Sequence, residues 1–180
     1  MLYSFEECIK KYNNQYQVEK MVQSGKLYKI DKGIYSDKKQ VSELEFVTFK
    51  HPRAVFAMDS AFYYHCLTDV IPDQFYLATD RDAAKIRSSN VKQLFYQDTI
   101  FPIGITTMSY QNVTIQIYDR ERMLIELIRN KGVLPFDYYK EIIESYRKTT
   151  HDLDIERLQE YILQFPKKDH IMNAIQLEVL

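Results

Sequence analysis

Apolar positions in this chain fall first at helical spacing and then at strand spacing. Phe5, Cys8, Ile9 and Tyr12 recur at helical intervals, and Ser4 with Glu7 three residues later has the form of a capping box, so a short helix is predicted from Ser4. Asn13-Asn14 interrupts it and can cap a second helix over Gln15 to Ser24, whose apolar face is Val18, Met21 and Val22. Gly25 suits the left-handed position that ends a helix. Leu27 to Ile30 and Ile34 to Ser36 then flank Asp31-Lys32-Gly33, which predicts a hairpin with Gly where the turn needs a positive φ. Two helices and one hairpin in residues 1–40 leave little core, so this piece must lean on the chain beyond residue 40.

Polarity rises through Asp37-Lys38-Lys39-Gln40, the one linker-like stretch, which divides the chain into segments 1–40 and 41–180. Beyond it, Ser42 caps a predicted helix to about Lys50, stopped by His51-Pro52. Short strands are predicted at Ala54 to Ala57, Gln74 to Thr79, Val91 to Tyr96, Ile103 to Met108 and Val113 to Tyr118. Helices are predicted at Ser60 to Leu67 and near Ala83. Asp119 caps a strongly periodic helix through Leu124, Leu127 and Ile128 that Gly132 would end. Three more follow over Phe136 to Lys148, Asp154 to Phe165 and Lys167 to Leu180. A mixed sheet of four or five strands followed by a run of C-terminal helices is an α+β pattern, not a repeating βαβ one. No internal repeat or low-complexity tract interrupts it.

Composition changes the picture mainly through charge. The whole chain carries a formal −1, but residues 1–40 hold eight lysines against five carboxylates, a local +3, while the remainder is −4. Only the N-terminal segment is directed toward a polyanion. Cys8 and Cys66 lie in apolar helical surroundings without CxxC spacing, which argues for a reducing compartment over a disulfide scaffold. No secretory leader pattern opens the chain and no apolar run approaches the ~20 residues of a membrane span, so a cytoplasmic protein without membrane contact is expected.

Catalytic chemistry finds little support. His51, His65, His151 and His170 are scattered, and His65 and Cys66 are helical neighbours pointing ~100° apart, so no metal site is expected and His65 is read as an anchor of a helix end. There is no P-loop, GxGxxG or GxSxG and only four glycines, so no cofactor is expected. Asp80-Arg81-Asp82 follows a strand, where a catalytic acid could sit, but it reads better as an exposed turn capping the helix near Ala83. Asp119-Arg120-Glu121-Arg122 reads as helix-start chemistry, with its arginines a secondary candidate for phosphate or an acidic partner.

Against that background, Gln15 to Lys38 stands out. Gln15, Tyr16, Gln17 and Lys20 lie off the apolar face of their helix, where Gln can bond an adenine edge and Lys can reach guanine or phosphate. Lys26, Lys29 and Lys32 recur at every third position and would contact phosphate. A helix feeding a basic two-stranded ribbon is the second half of a winged helix-turn-helix. A polar helix beside a solvated hairpin accounts for the same residues equally well on chemistry alone.

GKLYKIDKGIYSD, SAFYYHCLTDVIPDQFYLAT and DRERMLIELI, taken together in this order, resemble the AbiEi family of antitoxins from type IV toxin–antitoxin and abortive-infection (phage-defence) systems. The resemblance runs from about Tyr16 to the last helix. It implies an N-terminal winged helix that binds inverted repeats upstream of its own operon as an autorepressor. It also implies a non-enzymatic C-terminal domain that antagonises a nucleotidyltransferase-type toxin without a stable complex. On that analogy Gln15 to Ser24 is the recognition helix and Lys26 to Tyr35 the wing. Two departures stand out: no full helix precedes Ser4, and Cys66 stands where such proteins carry Gly. A DNA-binding domain truncated in this way would act as a homodimer on DNA, or would have become a protein-interaction module that no longer binds DNA. A nucleotide- or protein-directed enzyme centred on Asp80 and Asp82 is the third reading.

Overall fold

Ser4 ends one element and starts the next. In the computed structural model, which describes residues 1–180, Leu2–Ser4 is a strand, β1, and Phe5–Tyr12 a helix, α1. The Ser4 hydroxyl accepts from the Glu7 amide at 3.2 Å while the Glu7 carboxylate accepts from the Ser4 amide at 2.7 Å. That reciprocal cap satisfies two amides which a helix start would otherwise leave unpaired. Asn14 caps α2, Gln15–Gln23, in one direction only, its side chain accepting from the Gln17 amide at 3.0 Å. Past its end Gly25 takes φ +69°, the left-handed value that L side chains resist, and the Lys26 amide turns back to the Met21 carbonyl at 3.1 Å.

β2, Tyr28–Asp31, and β3, Ile34–Ser36, form the expected hairpin, but they are not alone. β1 pairs antiparallel with β3 in the register Leu2↔Ser36, Tyr3↔Tyr35, Ser4↔Ile34, so the sheet runs β1-β3-β2. Directly opposed residues share a face, which puts Tyr3, Tyr35 and Lys29 on one side of this sheet. The small core on that side is Cys8, Val18 and Leu27, with Tyr3, Ile9, Tyr12, Met21, Val22 and Tyr35 packed around it. α3, Glu43–Lys50, capped by Ser42, runs close to β1, and its Lys50 reaches Asp31 of β2 at 2.5 Å. The chain divides into compact units between Pro52 and Arg53, later than the break expected after residue 40, which groups α3 with the N-terminal elements.

The second unit is organised on a five-stranded mixed sheet in the order β6-β5-β4-β8-β7. Its strands are β4 (Val55–Phe56), β5 (Phe75–Asp80), β6 (Val91–Tyr96), β7 (Ile105–Tyr110) and β8 (Val113–Tyr118). β4 is central and only two residues long, antiparallel to β5 and parallel to β8. β5 and β6 are parallel, and β7–β8 is an antiparallel hairpin turned at Gln111-Asn112, both at positive φ. α4 (Met58–Tyr64) follows β4, and α5 (Arg120–Arg129), α6 (Phe136–Lys148), α7 (Ile155–Leu163) and α8 (Lys168–Glu178) close the chain. α5 is the central helix: every side chain from Glu121 to Ile128 is buried. Eight helices and two sheets make an α+β protein.

Two expectations in this unit do not hold. No helix forms near Ala83; the segment after β5 makes one turn, with the Ala83 amide bonded to the Asp80 carbonyl, and then a loop. Gln93 of β6 holds that loop, accepting from the Ile86 amide at 2.7 Å and donating to Ala84 O and Thr79 Oγ1, so backbone groups a helix would use are already engaged. α5 stops at Arg129, ahead of Gly132, with the Asn130 side chain donating to the Glu126 carbonyl at 2.8 Å.

Candidate nucleic-acid interface

α2 is amphipathic, and the sheet decides which face is outward. Val18 is buried against Cys8 and Leu27, with Met21 and Val22 beside it, which leaves Gln15, Tyr16, Gln17, Glu19, Lys20 and Gln23 exposed. Tyr16, 69% exposed, is the most prominent of these: an aromatic ring held off the first turn with nothing covering it. The remaining candidates, Lys26, Lys29 and Lys32, are exposed on the loop after α2, on β2 and at the hairpin turn. All seven sequence-derived residues therefore reach solvent within one unit.

They do not form one uniform patch. Lys29 is opposite Tyr35 and so projects toward the helix side of the sheet. There it lines a cleft of about 320 Å³ between α2 and the hairpin, together with Gln15, Glu19 and Gln23. Lys32 stands at the turn, its amide donating to Asp31 Oδ1 at 2.8 Å. The hydrogen bond from Lys50, and the Lys32 amide with it, hold the Asp31 carboxyl below the usual range, so this carboxylate stays ionised while its charge is shared with Lys50. Gln15 is committed to a neighbour that the sequence reading did not pair with it: Nε2 donates to Glu19 Oε1 at 2.8 Å. The i, i+4 spacing was the signal that could have found this pair.

The basic chemistry of residues 1–52 is entirely lysine, nine of them against seven carboxylates, a net +2. Lysine reaches phosphate as a mobile point charge and lacks the bidentate fork that arginine offers guanine. Affinity without strong guanine preference is what such a surface can supply.

The second unit places its candidates elsewhere. Asp80 is half-buried at the end of β5 and Asp82 exposed in the loop beyond it. Arg122, a secondary candidate for phosphate, is sealed in the core. It donates to the Ile100 and Ile103 carbonyls and to Glu126, between the rings of Tyr118 and Phe165 at 4.6 and 4.5 Å. Arg120 is turned to Asp152 at 3.6 Å and over the Tyr146 ring. Neither guanidinium is free for phosphate; the planar ion packs where aromatic faces and carbonyls converge. His65 does anchor a helix end, with Nε2 2.7 Å from the Tyr118 carbonyl at the close of α4. Cys66, expected in apolar surroundings, is exposed just beyond α4 at φ +57°. No three His, Cys, Asp or Glu side chains are grouped to hold a metal ion, and no helix is long and apolar enough to cross a membrane.

Compared with known proteins, the chain matches no protein-family model and no curated protein.

Proposed function

We propose that residues 1–52 act as a winged-helix-like DNA-binding unit, and that the protein is a non-enzymatic antitoxin. In this reading α2 enters the major groove of operator DNA upstream of its own operon and the β2–β3 hairpin acts as the wing, making the protein an autorepressor. The second unit antagonises a nucleotidyltransferase-type toxin, as the resemblance to AbiEi antitoxins implies. The observation that carries the DNA half is the chain order β1-α1-α2-β2-β3 with β1 paired to β3. It sets an exposed polar helix beside a lysine-bearing hairpin. An α-helix fits a major groove about 12 Å wide, and Lys20, Lys26, Lys29 and Lys32 then lie within reach of the flanking phosphates.

Retention of the upstream duplex across a salt series tests this. Four neutralised phosphates per bound unit give a slope of log affinity on log salt near about −3.6, and each of Lys20→Ala, Lys29→Ala and Lys32→Ala should flatten it by roughly 1. Binding that is absent, or indifferent to salt and to all three changes, sinks the DNA half.

The modest +2 of the first unit and its lack of arginine favour one rival, a protein-interaction module of a phage-defence system that no longer binds DNA. Under that reading the three alanine changes leave toxin neutralisation in cells unaltered and no upstream duplex is retained.

A further inference from the structure

The Gln15–Glu19 pair deepens the DNA-binding reading and depends on it. Glu19 is exposed on the flank of α2 that faces the hairpin and makes no ion pair with any lysine or arginine. It lines the cleft between α2 and the hairpin with Lys29 across from it. An unpaired carboxylate there repels phosphate at every position along a duplex, so it weakens the sequence-independent attraction that Lys20, Lys26, Lys29 and Lys32 supply. In the major groove a carboxylate finds few favourable neighbours. Guanine shows N7 and O6 acceptors and thymine an O4 acceptor, whereas cytosine shows only its N4 amino donor. Adenine has a donor at N6 but an acceptor beside it at N7.

Gln15 is set by the same contact. With one Nε2 hydrogen given to Glu19 Oε1 at 2.8 Å, its second N–H and its Oε1 remain, a donor and an acceptor side by side. That couple matches N7 and N6 of adenine. We infer that Gln15 and Glu19 act as one reading unit, Glu19 selecting a cytosine and Gln15 an adenine close to it, with Glu19 the specificity-determining side chain of α2. Four helical residues rise about 6 Å, so the two bases lie within about two base-pair steps.

The test is selection from a randomised duplex library by the full-length protein, Glu19→Ala and Glu19→Gln, at one salt concentration, each first shown to keep the wild-type circular-dichroism spectrum. The wild-type selected sites should contain an invariant cytosine with an adenine within two steps. Replacing that cytosine should weaken wild-type binding roughly tenfold or more and Glu19→Ala binding less than about twofold. Glu19→Ala should also hold unselected duplex more tightly than wild type, and Glu19→Gln should move the preference at that position from cytosine to adenine. If both variants select the wild-type motif with the same dependence on cytosine, Glu19 is only a solvated helix partner: the inference falls and the DNA-binding reading stands. If wild type retains no duplex at any salt concentration, both fall together.

Discussion

Arg122 and Glu126 face each other at 2.9 Å across one turn of α5, with side chains 0% and 2% exposed. Glu126 also accepts from Arg129 at 2.8 Å, and Arg122 also ties down the carbonyls of Ile100 and Ile103. A charge held this deeply is tolerable only while its partners remain. Arg122→Met should therefore cost about 3–5 kcal/mol, because it takes the buried partner from the Glu126 carboxylate, leaving only Arg129 to pair it, and frees the Ile100–Gly104 segment. Replacing both members, Arg122→Met with Glu126→Leu, should recover part of that loss. Urea unfolding of the single and double variants measures both quantities; a single variant as stable as wild type would show that the pair holds nothing.

Gly104 closes over the same helix start. It takes φ +78°, its carbonyl accepts from the Asp119 amide at 2.7 Å, and an added Cβ would meet Arg122 Cβ at 2.5 Å and Asp119 Oδ1 at 2.9 Å. Gly104→Ala should destabilise by about 2–4 kcal/mol, combining left-handed strain with overpacking against a backbone-anchored neighbour. The corresponding change at Gly132, where a Cβ would meet nothing, is the control and should lie within about 0.5 kcal/mol of wild type.

Cys66 is the converse case. A non-glycine residue at φ +57° follows α4, with the Leu67 amide returning to the Phe62 carbonyl at 2.9 Å, an arrangement glycine favours at helix ends. Cys66→Gly should stabilise by about 1 kcal/mol and raise the thermal midpoint by roughly 2–4 °C, whereas Cys66→Ala, which keeps the strain, should not. Calorimetry of the two variants separates relief of strain from loss of the thiol.

His65 makes stability depend on pH. Burial lowers its imidazole pKa, and Arg120 adds to this against the opposing hydrogen bond to the Tyr118 carbonyl. The folded pKa lies below the ordinary 6.5, so below about pH 6.5 the unfolded chain takes up a proton more readily than the folded one. Stability is full above that value and falls as pH drops through it, by at most about 1.4 kcal/mol per pH unit for one group. Burial acts in the same direction on His51. Denaturant titrations between pH 7.5 and about 5.5 should show the decline, shallower in His65→Gln; an identical slope in that variant would exclude His65 as its source.

Local chemistry was legible in the chain and distant partnership was not. Ser4, Asn14, Ser42 and Asp119 each cap the helix they were expected to cap, because a cap involves only the next three residues. The exposure of the candidate DNA-contacting residues was legible for the same reason, since it follows from one helix period and one hairpin. β1 was missed because three residues carry no periodicity and their partner lies some thirty positions away. Arg122 was missed because Asp-Arg-Glu-Arg looks like surface, and only the arrival of Tyr96, Tyr118 and Phe165 from three separate segments makes a cage around it.

The brevity of β4 gives the larger sheet a seam. β5–β6 and β7–β8 are six-residue pairs in continuous register, yet their strand ladders are joined only through Val55 and Phe56. Phe56 alone bridges both, opposite Leu77 on one side and Ile117 on the other, with its ring edge-on to Tyr64 and Phe75. Along its hydrogen-bonded ladder the sheet is two leaves on one rivet, and a change at Phe56 touches both.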